Sequence, residues 1–197
     1  MSNVAWNDAW NAGQAVLRRQ LERARPFRIT GWTQEAINRE RAAEVPDLES
    51  VAVALVPRMP GYMTGIAAAG RTNDGHFYVL GDYSMTGTPA ECMERAVAAY
   101  RDHEADVIAG EVNQLGYYLE KLLRTVDDGV QYKALRAIQG CGERARFVGG
   151  LYEQGRVHHA GALADLEDHM AIWDGIHSTA RIGALVCAIT ELSAPPI

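Results

Sequence analysis

The stretch that most constrains this chain is Val51-Ala-Val-Ala-Leu-Val56, six consecutive apolar residues without a polar break. A short apolar run of this kind is expected for a strand buried on both faces of a sheet. Pro57 ends it, and Pro60-Gly61 supplies a turn. Thr64–Ala69 reads as a second strand and His76–Leu80 as a third. Between them, Thr72-Asn-Asp-Gly75 is a hairpin turn in which Asp-Gly provides the positive-φ position. Residues 51–82 therefore predict a three-strand antiparallel meander.

The pattern then changes period. Thr88-Pro-Ala-Glu91 has the order of a helix start, with Thr88 as N-cap, Pro89 in the first position and Glu91 three residues after the cap. The helix is expected to run to about His103. Beyond it, a strand at Asp106–Gly110, a helix over 114–124, a strand at Val130–Leu135, a helix over 142–153, an extended piece at Val157-His158 and helices over 161–173 and 178–192 complete the reading. Three meander strands followed by strands alternating with helices predict an α/β mixed sheet. Ahead of it, residues 4–25 place Trp6, Trp10, Leu17 and Leu21 on one helical face ended by Pro26, and 33–44 reads as a second helix before Pro46. The expected organisation is a helical lead-in over 1–48 and a main domain over 49–197.

With 197 residues, 48% hydrophobic and 22% charged, the chain is long and apolar enough for one full core. No apolar run approaches the ~20 residues needed to cross a bilayer. The start MSNVAWNDAW lacks the basic and apolar segments of a signal peptide. Cys92, Cys141 and Cys187 contain no CxxC pair, so reduced cytosolic thiols are expected. The net charge of −6 argues against attachment to nucleic acid by bulk charge. Residues 131–156 are the exception: Lys133, Arg136, Arg144, Arg146 and Arg156 face only Glu143 and Glu153. Any phosphate contact is expected there.

There is no G-x-x-x-x-G-K-[ST] phosphate loop and no GxGxxG, which removes the common ATPase and dinucleotide readings. Glu111 follows a buried strand, at the position where α/β sheets place ligands. It reads either as a metal ligand or general base, or as a strand-terminal acid bonded to a helix N-terminus. Asp82 reads first as a turn residue bonding its own backbone, with support of a metal ligand as the other role. His158 and His159 are adjacent on a strand and point to opposite faces, so they cannot share a metal; with His169 they read as structural histidines. Asp165, Glu167 and Asp168 read as a solvated acidic helix face. Gly140-Cys141-Gly142 reads as a flexible loop.

Several of these stretches occur in the order of a known family. His76–Ser84 (HFYVLGDYS), the helix start Thr88-Pro-Ala-Glu91, Asp106–Gln114 (DVIAGEVNQ), Leu151–Gly161 (LYEQGRVHHAG), Leu166-Glu167-Asp168 and Arg181–Leu192 (RIGALVCAITEL) resemble the C-terminal nuclease domain of bacteriophage and prophage terminase large subunits, gene-transfer-agent relatives included. Gly31-Trp32-Thr33 and Val45-Pro46-Asp47 resemble the linker that precedes it. The resemblance implies an RNase H-like fold with an N-terminal helical extension. It also implies cleavage of concatemeric viral DNA during packaging, in the cytoplasm of a bacterial host. The expected partners are double-stranded DNA and other terminase or portal components, with no membrane.

In that family three carboxylates hold two Mg²⁺ or Mn²⁺ ions that activate water and stabilise the leaving oxygen. The resemblance places them at the end of the first strand, at the end of the central strand and at the start of the last helix. Here those positions are Val56, Glu111 and Gly183, so one acid of three remains. Cys141 stands in place of the family's basic loop residue. Asp82, Asp168 or Asp174 could substitute in principle, but no spacing requires them. Two readings follow: a metal-dependent endonuclease with impaired catalysis, or a non-catalytic terminase-derived module that binds DNA or a packaging protein.

Overall fold

A computed structural model describes residues 29–58, 61–112, 118–136, 141–173 and 180–194. The helix expected over 4–25, with Trp6 and Trp10, lies outside the described residues, as does Asp174.

The meander forms as expected: β1 (Ser50–Val56), β2 (Gly65–Arg71) and β3 (Phe77–Asp82) are antiparallel neighbours. Gly75 takes φ +83° and its N–H donates to the Thr72 carbonyl at 2.9 Å, closing the hairpin. Helix α2 (Pro89–Asp102) starts on a complete capping box. The Thr88 hydroxyl accepts the Glu91 N–H, and the Glu91 carboxylate accepts the Thr88 N–H. Strand β4 (Val107–Glu111), helix α3 (Tyr118–Val126), β5 (Tyr132–Leu135), α4 (Cys141–Glu153), β6 (Val157–His159), α5 (Ala164–Ala171) and α6 (Ala180–Ser193) follow. Cys141 and Gly142 belong to helix α4, which corrects the loop expected around them.

The sheet order is β5-β4-β1-β2-β3-β6. Only β2 runs against the others, since β1 pairs β4, β4 pairs β5 and β3 pairs β6 in parallel. Alternation splits each strand between two cores. Val51, Val53 and Leu55 face α2 and α3, while Ala52, Ala54 and Val56 face α4, α5 and α6. Helix α6 is buried from Ala180 to Ile189 and, after Arg181, is apolar through Ile189, as a central helix must be. It lies close on the sheet: a Cβ at Gly65 would sit 1.9 Å from the Ala180 carbonyl oxygen.

Residues 29–42 pack against this body. Ile29, Trp32 and Ile37 are buried in the α6-side core, and Trp32 meets Trp173 at 5.2 Å between centroids. Helix α1 (Gln34–Arg39) is shorter than the expected 33–44. The chain leaves the helix because the Ala42 N–H donates to the His159 carbonyl and Ala42 forms a parallel bridge with Ala160.

Candidate functional site

The parallel strands bring their C-terminal ends to one end of the sheet. Leu55 pairs with Gly110, so Val56 and Glu111 are the next residues on adjacent strands and share the α6 face. Strands lie about 4.8 Å apart, which makes these two positions neighbours.

The Glu111 carboxylate does not face open solvent. Arg144, from α4, places Nη2 3.5 Å from Glu111 Oε1, and the two side chains are 11% and 20% exposed. Arg144 Nη1 also donates to Cys187 Sγ at 3.0 Å, and the Cys187 thiol donates to Glu111 Oε2 at 3.8 Å. Guanidinium, thiol and carboxylate thus form a triangle joining α4, α6 and β4. Gly183 lies one turn before Cys187 on α6 and is buried, so it belongs to the same stripe.

Asp82 stands at the same end of the sheet, on β3, and is committed elsewhere. Its Oδ1 accepts the Ser84 N–H at 3.1 Å and the Ser84 hydroxyl at 2.5 Å, which is the expected turn. Its Oδ2 accepts Arg181 Nη1, and Arg181 Nη2 reaches Asp165 Oδ2 at 2.8 Å. Asp168 is exposed on α5.

Among the described residues, the donor set does not fit two divalent ions. Among the described residues no group of three His, Cys, Asp or Glu side chains could hold a metal. The Val56 side chain offers no oxygen and Gly183 has no side chain, while the Arg144 guanidinium lies against the Glu111 carboxylate.

Asp165 and Asp168 are exposed as expected, whereas Glu167 is buried at 3% exposure, which corrects the solvated position expected for it. It accepts both Arg41 terminal nitrogens (2.8 and 2.9 Å), Gln34 Nε2 (2.9 Å), the Leu163 N–H (3.1 Å) and His159 Nδ1 (3.0 Å). Burial alone would raise its pKa, but hydrogen bonds led by Arg41 outweigh that and hold it at about 2. His159 is 1% exposed and its Nε2 lies 2.8 Å from the Tyr152 hydroxyl. Burial lowers the His159 pKa against the pull of Glu167, and burial raises that of Tyr152. His158 turns to the other side, 2.8 Å from His76 Nδ1 and 3.0 Å from the Glu40 carbonyl. His169 is half-buried on α5. Glu167, His158 and His159 hold residues 34–42 to β6 and α5.

The five basic residues of 131–156 do not gather into one patch. Lys133 Nζ is 2.6 Å from Glu191 Oε1, and Arg144 is held at Glu111. Arg156 donates to the Gly75 carbonyl (2.5 and 3.2 Å) at the opposite end of the sheet, where β3 begins. Arg136 and Arg146 are exposed.

Sequence reasoning missed the roles of Arg41, Arg181 and Cys187. Their partners lie 126, 99 and 76 residues away, beyond any helical or strand spacing.

Comparison with family profiles and with curated proteins finds no match. Solved structures do match. The nuclease domain of the large terminase subunit of bacterial virus Sf6, solved with manganese, has a TM-score of 0.60 at 11% identity, over 86% of this chain and all of that one. The human cytomegalovirus terminase nuclease domain has a TM-score of 0.60 at 13% identity, over 82% of this chain and 95% of that one. The HK97 bacteriophage large terminase has a TM-score of 0.62 at 11% identity, over 84% of this chain and 43% of that longer one. The six-strand mixed sheet with flanking helices is thus the RNase H-like fold of the terminase large-subunit nuclease domains.

Proposed function

We propose that this chain is a terminase-nuclease-like domain, related to those that cut concatemeric viral DNA during packaging, in which two-metal hydrolysis is lost or severely impaired. The observation that carries the reading is the Arg144 guanidinium 3.5 Å from Glu111, where the fold's chemistry calls for further carboxylates. Two divalent ions need several hard oxygen ligands to offset their dehydration, and Val56 and Gly183 supply none. Related domains were solved with manganese or with magnesium, so Mg²⁺ and Mn²⁺ are the ions to test.

Plasmid nicking with each ion, wild type beside Glu111→Ala, is the direct experiment. No cleavage by either protein is the expected result. Cleavage that disappears in Glu111→Ala means that other ligands have rebuilt the site and overturns the proposal.

A second reading, a module that binds double-stranded DNA or a terminase or portal component, rests on the exposure of Arg136 and Arg146. Arginine suits phosphate contacts. The setting proposed for either reading is the cytoplasm of a bacterial host.

A further inference from the structure

We infer that Arg144 is a built-in cation that has taken over the structural task of divalent ions at this site, so that the domain is complete without metal and excludes it. The inference rests on the proposed loss of two-metal chemistry and names what occupies the site instead.

A part-buried carboxylate needs a counter-charge and hydrogen-bond donors. Glu111 receives both from within the chain, through Arg144 and the Cys187 thiol. The same guanidinium donates to Cys187, so one side chain links α4 to the end of β4 and to α6. Two of them, β4 and α6, are elements on which the family resemblance places metal ligands. Among the described residues, a divalent ion at Glu111 would have to approach the Arg144 guanidinium with that single carboxylate in its favour. The apolar Val56, beside Glu111 across the β1–β4 register, and Gly183, one turn from Cys187, stand where the resemblance expects acids, which is consistent with this substitution. With a guanidinium present, further carboxylates are no longer needed to balance charge.

Two measurements on the full chain test the inference. The first is Mn²⁺ binding, read from the loss of the free-ion electron paramagnetic resonance signal. Wild type and Val56→Asp should bind little, because Arg144 still holds Glu111. Val56→Asp combined with Arg144→Ala should bind at least about tenfold more tightly than Val56→Asp alone, the scale on which groups around metal ligands act. Adding Glu111→Gln should abolish that gain. Equal Mn²⁺ affinity with and without Arg144, or no binding by a folded Val56→Asp/Arg144→Ala protein, overturns the exclusion. Stoichiometric binding by wild type that Glu111→Gln removes also overturns it.

The second measurement covers the case in which Val56→Asp does not fold. Arg144→Ala and Glu111→Gln should each lower the melting temperature, and the double variant should lose less than the two losses together. Additive losses overturn the internal-cation role. Nicking by wild type would defeat the proposed function. Additive losses or metal uptake without nicking would defeat this inference alone.

Discussion

Replacing Glu167 by glutamine changes one atom in a buried site and removes one charge. Glu167 accepts five hydrogen bonds, two of them from Arg41. Its pKa of about 2 lies below the ordinary carboxylate value of 4.5. That gap corresponds to about 3 kcal/mol of preference for the charged form in the folded state. Glutamine keeps the volume but turns an amide NH₂ toward groups that are themselves donors. It also leaves Arg41 without its counter-charge, a change that typically costs about 3–5 kcal/mol. The two routes agree on a loss of about 3 kcal/mol at neutral pH, or about 10 °C in melting temperature for a domain of this size.

The pH dependence has a definite sign. A carboxylate with a depressed folded-state pKa contributes its stability above the unfolded value and loses it as pH falls through the folded one. Wild type should therefore lose this increment between about pH 5 and pH 2, while Glu167→Gln has none to lose. Urea unfolding, read by the fluorescence of buried Trp32 and Trp173 and repeated across that range, should show the two proteins converging at acid pH. A gap below about 1 kcal/mol at neutral pH, or a gap that stays constant down to about pH 2, would refute the reasoning.

Other expectations concern packing, charge and DNA. Gly65→Ala should destabilise by about 1–3 kcal/mol or more, because the new Cβ meets the Ala180 carbonyl oxygen at 1.9 Å. Gly150→Ala in α4, with nothing within 4 Å, should instead stabilise by up to about 1 kcal/mol; thermal melts compare the two. Arg181 binds two carboxylates of unlike exposure, Asp82 at 6% and Asp165 at 74%. Asp165→Ala should cost under about 1 kcal/mol and Asp82→Ala about 3 kcal/mol, and equal losses in denaturant titrations would contradict this. If the chain binds double-stranded DNA through Arg136 and Arg146, affinity should fall steeply with salt, and Arg136→Ala/Arg146→Ala should flatten the slope. A salt-independent affinity in fluorescence anisotropy would exclude that surface.

What the sequence determined is local. The Thr88–Glu91 capping box, the Asp74-Gly75 turn and the apolar run Val51–Val56 each depend on residues within a few positions of one another, and each forms where expected. The absence of acids at Val56 and Gly183 is likewise plain from the chain. Tertiary structure decided which charges meet. Helical spacing around Glu167 resembles an exposed acidic face until Arg41, 126 residues earlier, is brought to it by the bridge between Ala42 and Ala160. Arg144 resembles one of five solvated basic residues until α4 packs beside α6 and carries it to Glu111. Hydrophobic period and capping are set by chain neighbours, whereas a buried charge takes its partner from whichever element the sheet order places against it.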